Sequence, residues 1–248
     1  MRRRALITGA GKRVGKAVAL HLAERGLDVA IHYHHSRSAA EGVAAACRER
    51  GVEAWTLKAD LSDADETRRM AAKVAQRWDT LSVLVNNASM FTPKPFEETS
   101  LDDVRALNSL HLEAPFLLSR ILLPRLRAAA RADSLESSLI VHMVDIAAER
   151  PFHGYTAYAV SKAALAALVR SMAIELAPAV RTVGLAPGHV AWPPDYDAAT
   201  KKRMLSRIPM GRVGEPEDVA RTVGFLYFDA PYLNGDVIKL DGGLSQRY

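Results

Sequence analysis

The stretch Arg4-Ala5-Leu6-Ile7-Thr8-Gly9-Ala10-Gly11-Lys12-Arg13-Val14-Gly15 decides how the rest of the chain is read. Residues 4–8 have the length and apolar character of a buried strand, and the run breaks into glycines. Beyond them Val14, Val18 and Leu22 recur at helical spacing until Gly26 closes the pattern. Strand, Gly-rich turn and helix together bring backbone N–H groups and the positive end of a helix dipole to a pyrophosphate. A Gly-rich turn alone reads equally as a plain structural turn. The strand before it and the helix after it favour the binding reading for Gly9, Gly11, Arg13, Val14 and Gly15.

Outward from this unit the same alternation repeats. Strand-like runs fall at 28–33, 54–59, 81–85, 138–144, 181–186 and 237–240. Helical patterns fall at 14–25, 39–51, from a cap at Ser62 or Asp63 to about 78, 102–130, 156–176 and 216–228. Pro115 and Pro124 predict kinks or a break in the long central helix. Residues 188–209 read as an irregular loop. Repeated βαβ units predict an α/β, Rossmann-like doubly wound parallel sheet, and the lack of a linker or repeat predicts a single domain over 1–248.

The 248 residues, with a formal charge of +5 and a pI near 9.4, are enough for a core without disulfides or a structural metal. Composition excludes a collagen-like or disordered chain. No apolar run approaches the roughly 18 residues of a membrane span, and Arg2-Arg3-Arg4 has no apolar segment behind it to make a signal peptide. One cysteine, Cys47, forms no internal disulfide, so a reducing cytoplasmic setting is expected. The scattered Lys and Arg residues read as solvated helix faces rather than a nucleic-acid arm.

A dinucleotide's identity is read at the end of the second strand. An NAD site places an Asp or Glu there, whereas this chain has His34, His35, Ser36 and Arg37, which suit a 2′-phosphate and favour NADPH. A metal site is the rival reading of the histidines. Strand alternation turns His32 and His34 away from His35, and no metal is expected. Asp60, followed by Leu61, either accepts from an adenine amino group or caps the next helix.

Tyr158 and Lys162 stand four apart, on one face of a helix, where an ammonium would lower a phenol's pKa toward neutrality. With the Gly-rich loop, Asn86-Asn87-Ala88, and Pro187-Gly188, these residues make the chain resemble the short-chain dehydrogenase/reductase family over nearly its whole length. The resemblance implies hydride transfer from a nicotinamide, Tyr158 as proton donor, and Lys162 on the nicotinamide ribose. It also implies that Asn86, Ala88, Pro187 and Gly188 position the cofactor, and that the protein is a homotetramer.

Departures from the family pattern narrow the expectation. Arg13 replaces a usual glycine, Asp145 a usual serine and Ser89 another glycine; His111, or Asn108 in a slipped register, faces the usual helix-kinking asparagine. This set is similar to the pteridine reductase and dihydromonapterin reductase branch. A pterin is reduced at C=N and offers ring nitrogens, which suits a carboxyl at Asp145 beside Tyr158. Phe91 can stack on the flat ring, and Arg13 can reach its edge.

Bland readings remain for each: a cap for Asp145, core for Phe91, a packed helix residue for His111, a loop anchor for Trp192. The expectation is an NADPH-dependent reductase of a dihydropteridine (dihydrobiopterin, dihydromonapterin or dihydrofolate), with Asp145, Tyr158 and Lys162 catalytic. Arg13, Ser89, Phe91, Asp145, Tyr158 and Trp192 would meet the substrate, Trp192 from the substrate loop that the resemblance implies around 188–209. The alternatives are a ketone reductase of the same family, acting on a 3-oxoacyl thioester or a sugar, and a non-catalytic NADP(H)-binding sensor.

Overall fold

Seven apolar runs become seven parallel strands: β1 Arg4–Ile7, β2 Asp28–Tyr33, β3 Ala54–Lys58, β4 Val83–Asn86, β5 Ser138–Met143, β6 Val180–Pro187 and β7 Val237–Leu240. The computed structural model describes residues 2–132, 137–192 and 196–247. Strand order is β3-β2-β1-β4-β5-β6-β7, so the doubly wound parallel sheet read from the sequence is the observed one. Helices α1 Arg13–Glu24, α2 Arg37–Arg48 and α8 Pro216–Phe228 cover one face. On the other lie α3 Ala64–Arg77, α5 Ala114–Ala132 and α6 Thr156–Leu176. Because both faces are covered, the central strands are apolar throughout rather than alternating.

The long central helix departs from expectation. It is divided into α4 Leu101–Asn108 and α5 by a π-helical turn, Ser109–Glu113. Pro115 directly follows the π-helical turn, whose wider ring accommodates a residue without an N–H, and Pro124 lies inside α5. The 188–209 stretch also holds more structure than expected: Asp197 caps α7, Ala198–Leu205, by accepting from Thr200 N–H.

Two expectations about charge and apolarity need correction. α6 is a helix long and apolar enough to cross a membrane by length and composition, although it carries Lys162, Arg170 and Glu175. One side of it packs into the core, while Val160 and Ile174 are exposed on the other. Nor are all cations on solvated helix faces. Arg181 is buried in β6 and donates to Ser137 Oγ and to the carbonyls of Leu226, Ala230 and Leu233, at 2.9–3.2 Å. It ties the sheet to the end of α8 and the turn before β7. Arg181→Leu leaves those acceptors dry, so urea denaturation should show a loss of about 3 kcal/mol.

Candidate active site

The C-terminal ends of β1 and β4 border a cleft of about 670 Å³. Here Thr8 Oγ1 accepts from the N–H groups of Asn87 (2.8 Å) and Ala88 (2.9 Å), and Asn87 Nδ2 donates to Thr8 O and Gly9 O. Gly9 has φ +63°, and Gly15 is packed so tightly that a Cβ would lie 2.4 Å from Gly9 O. Such an opened turn leaves backbone exposed to a bound phosphate. Arg13, where the related loops carry glycine, takes a φ of +50° and reaches across to Val190 O (3.4 Å). A left-handed arginine is strained backbone held in place by its surroundings.

His32 is structural. Its Nδ1 accepts from Gly9 N–H (3.0 Å), so Nε2 carries the proton and donates to Ala59 O (3.0 Å). Burial lowers its pKa to about 4. His34 and His35 do not diverge as strand alternation suggested: β2 ends at Tyr33, and beyond it their rings lie 3.5 Å apart. Among the described residues no group of three His, Cys, Asp or Glu side chains could hold a metal. His34, His35, Ser36, Asp60 and Leu61 line the cleft, as does Lys12, which sequence reading missed although it stands in the loop. Arg37 lies on the exposed first turn of α2, outside that lining. Asp60 accepts from both Ser62 N–H and its hydroxyl, which holds the carboxyl below its ordinary range. These residues fit a dinucleotide: glycine backbone for phosphates, imidazoles and a hydroxyl at one end, an acidic acceptor beside them.

Asn86 departs from its implied role. It shares the face of Leu84, pairs through Nδ2 with His142 Nδ1 (3.3 Å), and leaves its own Oδ1 and His142 Nε2 buried without partners. Asn87 rather than Asn86 supports the glycine loop. Gly188 is packed against Asp241, where a Cβ would come within 2.8 Å, and Pro187 pairs with Leu240 at the sheet edge. Neither borders the cleft.

At the end of β5, Asp145 is both a cap and a partner. One carboxylate oxygen accepts from Ala147 N–H (2.8 Å) and the other from the Tyr158 hydroxyl (2.9 Å). Burial raises the Asp145 pKa, against the opposing pull of those donors, Lys162 and His189. The expected depression of the Tyr158 pKa is reversed: burial and then Asp145 push it up. Lys162 cannot compensate, because its Nζ is turned to Met143 O (2.7 Å) and lies 5.6 Å from the Tyr158 ring centre. Phe91 is not core. It is 51% exposed, stacks on Tyr155 at 4.3 Å, and meets Tyr158 edge-on.

Trp192 is half-buried, 6.3 Å from the Tyr196 ring; residues 193–195 of the expected substrate loop fall outside the described residues. Tyr155, Tyr196 and His189 were not singled out from sequence. For Tyr155 the spacing of three residues ahead of Tyr158 was an available signal. His111 is buried in the π-helical turn, with Ser89, Met90 and Ser161 on its ring nitrogens.

A family profile described as enoyl-(acyl carrier protein) reductase matches residues 9–245. A 3-oxoacyl-[acyl-carrier-protein] reductase, FabG, of Staphylococcus aureus is 33% identical over 98% of each chain. The chain belongs to the short-chain dehydrogenase/reductase family. A short-chain dehydrogenase from Burkholderia cenocepacia, solved with NADP, superposes with a TM-score of 0.88 at 30% identity, covering 98% of this chain and 97% of that one. Acetoin dehydrogenase YohF from Salmonella typhimurium gives 0.90 at 28% identity, covering 100% and 98%. The chain is therefore an oxidoreductase of a family that uses a nicotinamide cofactor. The names of these relatives match the ketone-reductase alternative better than pterin reduction.

Burial lowers the Lys162 pKa from 10.5 to about 8. Below about 8 both folded and unfolded chains hold this proton, and the folded state carries the full burial penalty. Between about 8 and 10.5 only the unfolded chain holds it, so this group's contribution to stability rises with pH. Denaturation of wild type against Lys162→Met should show their difference shifting toward wild type across that window; a flat difference contradicts a buried, titrating lysine.

Proposed function

We propose that this protein is an NADPH-dependent reductase of a dihydropteridine. The observation that carries the reading is the Asp145–Tyr158 hydrogen bond. A serine at that position would donate to a carbonyl oxygen; a carboxyl there accepts from the N–H groups of a pterin when ionised and passes a proton on when neutral. A nicotinamide bound in the cleft supplies the hydride. Tyr158 gives its proton to the ring nitrogen next to the reduced carbon. The raised pKa of Asp145 keeps a neutral carboxyl within reach, and that carboxyl returns a proton to Tyr158, so the two titrate as a coupled pair. Phe91, half-exposed and anchored on Tyr155, offers a flat apolar surface for the heterocycle. His34, His35 and Ser36, with no acidic residue at the end of β2, support NADPH over NADH. On this reading the whole chain is one NADP(H)-binding domain, and Trp192 belongs to a loop that meets the substrate.

Reduction of a ketone such as a 3-oxoacyl thioester is the second reading, favoured by the relatives' names. Oxidation of NADPH, and of NADH in parallel, with dihydrobiopterin, dihydrofolate or a β-ketoacyl thioester separates the two. The pterin reading expects turnover of a dihydropterin with NADPH preferred, and a loss on the order of 100-fold or more in Tyr158→Phe. Its rate falls as pH rises through the pKa of Asp145. Asp145→Ser should lose pterin turnover and that pH dependence. Full retention of pterin activity in Asp145→Ser, or turnover of the thioester alone, overturns the reading.

We also infer a homo-oligomer, with the homotetramer of the family resemblance as the expected state. The outer side of α6 exposes Val160 and Ile174 beside Arg170 and Glu175, and these two apolar side chains suit a second copy. Light scattering on the eluted peak should give a multiple of the 27.0 kDa chain mass.

A further inference from the structure

His111 stands where the family carries asparagine, and the hydrogen bonds around it determine which nitrogen holds its proton. Met90 N–H points at Nε2 (3.2 Å), and a backbone amide is only a donor, so Nε2 is the unprotonated acceptor. Nδ1 then carries the hydrogen and donates to Ser161 Oγ (2.8 Å). Ser161 in turn donates to the Tyr158 carbonyl (2.7 Å). The ring is thus fixed to the loop after β4 on one side and to the turn of α6 bearing Tyr158 on the other. The π-helical turn Ser109–Glu113 aims the imidazole inward, edge-on to the Tyr158 ring at 5.5 Å. Burial and the facing charge of Lys162 both keep the imidazole neutral.

The same Nε2 lies 3.0 Å from Ser89 Oγ, and the His111 ring that holds this hydroxyl is edge-on to the Tyr158 ring, close enough for Ser89 to favour the ionised phenol without being bonded to it here. Ser89 therefore has one proton and two acceptors. While Tyr158 holds its own proton and donates to Asp145, the Ser89 hydroxyl rests on Nε2. Once Tyr158 has given its proton away, that hydroxyl can turn to the phenolate oxygen. Nε2 still keeps the Met90 N–H, so the turn leaves no buried group unpaired.

We propose that His111 is a positioning residue that holds the Ser89 hydroxyl ready to donate to the Tyr158 phenolate. The proposal rests on the reading of Tyr158 as proton donor but not on the identity of the substrate. Two measurements test it. In protein labelled with ¹⁵N-histidine, long-range ¹H–¹⁵N spectra should show a neutral Nδ1–H tautomer that disappears in His111→Asn. An Nε2–H tautomer at His111 overturns the arrangement whatever the enzyme reduces.

The second measurement is a double-mutant cycle on whichever substrate, dihydropterin or ketone, is turned over. Ser89→Ala and His111→Ala should each lower kcat about tenfold, the worth of one hydrogen bond made in the transition state, while KM stays nearly unchanged. The double variant should be no slower than the slower single variant. Additive losses, or a His111→Ala that loses thermal stability at full kcat, refute the proposal. Ser161→Ala, which frees the ring from α6 while keeping His111, serves where His111→Ala does not fold, and it should show the same drop in kcat. Failure of the pterin reading shows separately, as turnover of a ketone with this cycle intact.

Discussion

The site depends on the parting of two neighbouring strands. The chain leaves β1 toward α1 on one face of the sheet and leaves β4 toward the opposite face, so no helix covers the point between them. A cleft forms there in any doubly wound sheet. In this chain its shape is held by one hydroxyl and one amide: Thr8 takes the first N–H groups beyond β4, and Asn87 takes the carbonyls that begin the glycine turn. Gly15 completes the junction, since any side chain on it would enter the Gly9 carbonyl.

Next to this junction the protein buries Tyr158 and Lys162 and half-buries Asp145, with few partners between them. Desolvation disfavours every charged form, raising the carboxyl and the phenol and lowering the ammonium. The three shifts oppose the charge separation that proton transfer requires, so the folded protein alone is poorly prepared to ionise Tyr158. Unpartnered atoms at Asn86 Oδ1 and His142 Nε2 lie in the same buried region, adding to the stored electrostatic cost. A core selected only for stability would fill this volume with apolar side chains. Its polarity is the mark of a site.

Sheet order, both covered faces and the glycine loop were legible because they follow from local periodicity and turn chemistry. Even Asn86 was within reach: alternation puts it on the face of Leu84, covered by α3, α5 and α6, which leaves Asn87 for the loop. The π-helical turn was not legible, since prolines at 115 and 124 offered a more obvious cause for the break. Nor was the direction of the Tyr158 shift. A spacing of four puts Lys162 on the same helix face, but only the fold shows its ammonium drawn to Met143 O, with Asp145 nearer the phenol. The relative direction of the histidine rings was misjudged for a similar reason. His32, His34 and His35 are close in sequence, yet what each does is set by Ala59, Gly9 and Asp60, which arrive from other strands.

The four departures from the family pattern do not act separately. Arg13 reaches across the cleft to Val190, just beyond the segment that carries His189; His189 in turn faces Asp145. Asp145 takes the phenol hydrogen, and Ser89, bonded to His111, opposes its effect on the phenol's pKa. Reverting one of them to the family residue would leave a neighbour without its partner. Asp145 without Ser89 would push the phenolate up with nothing opposing it, and Ser89 without His111 would lose the acceptor that parks its hydroxyl. Here Asp145 and Ser89 act on the Tyr158 phenol, His111 acts through Ser89, and Arg13 joins them through the segment that carries His189, so the four departures form one chain of contacts centred on Tyr158.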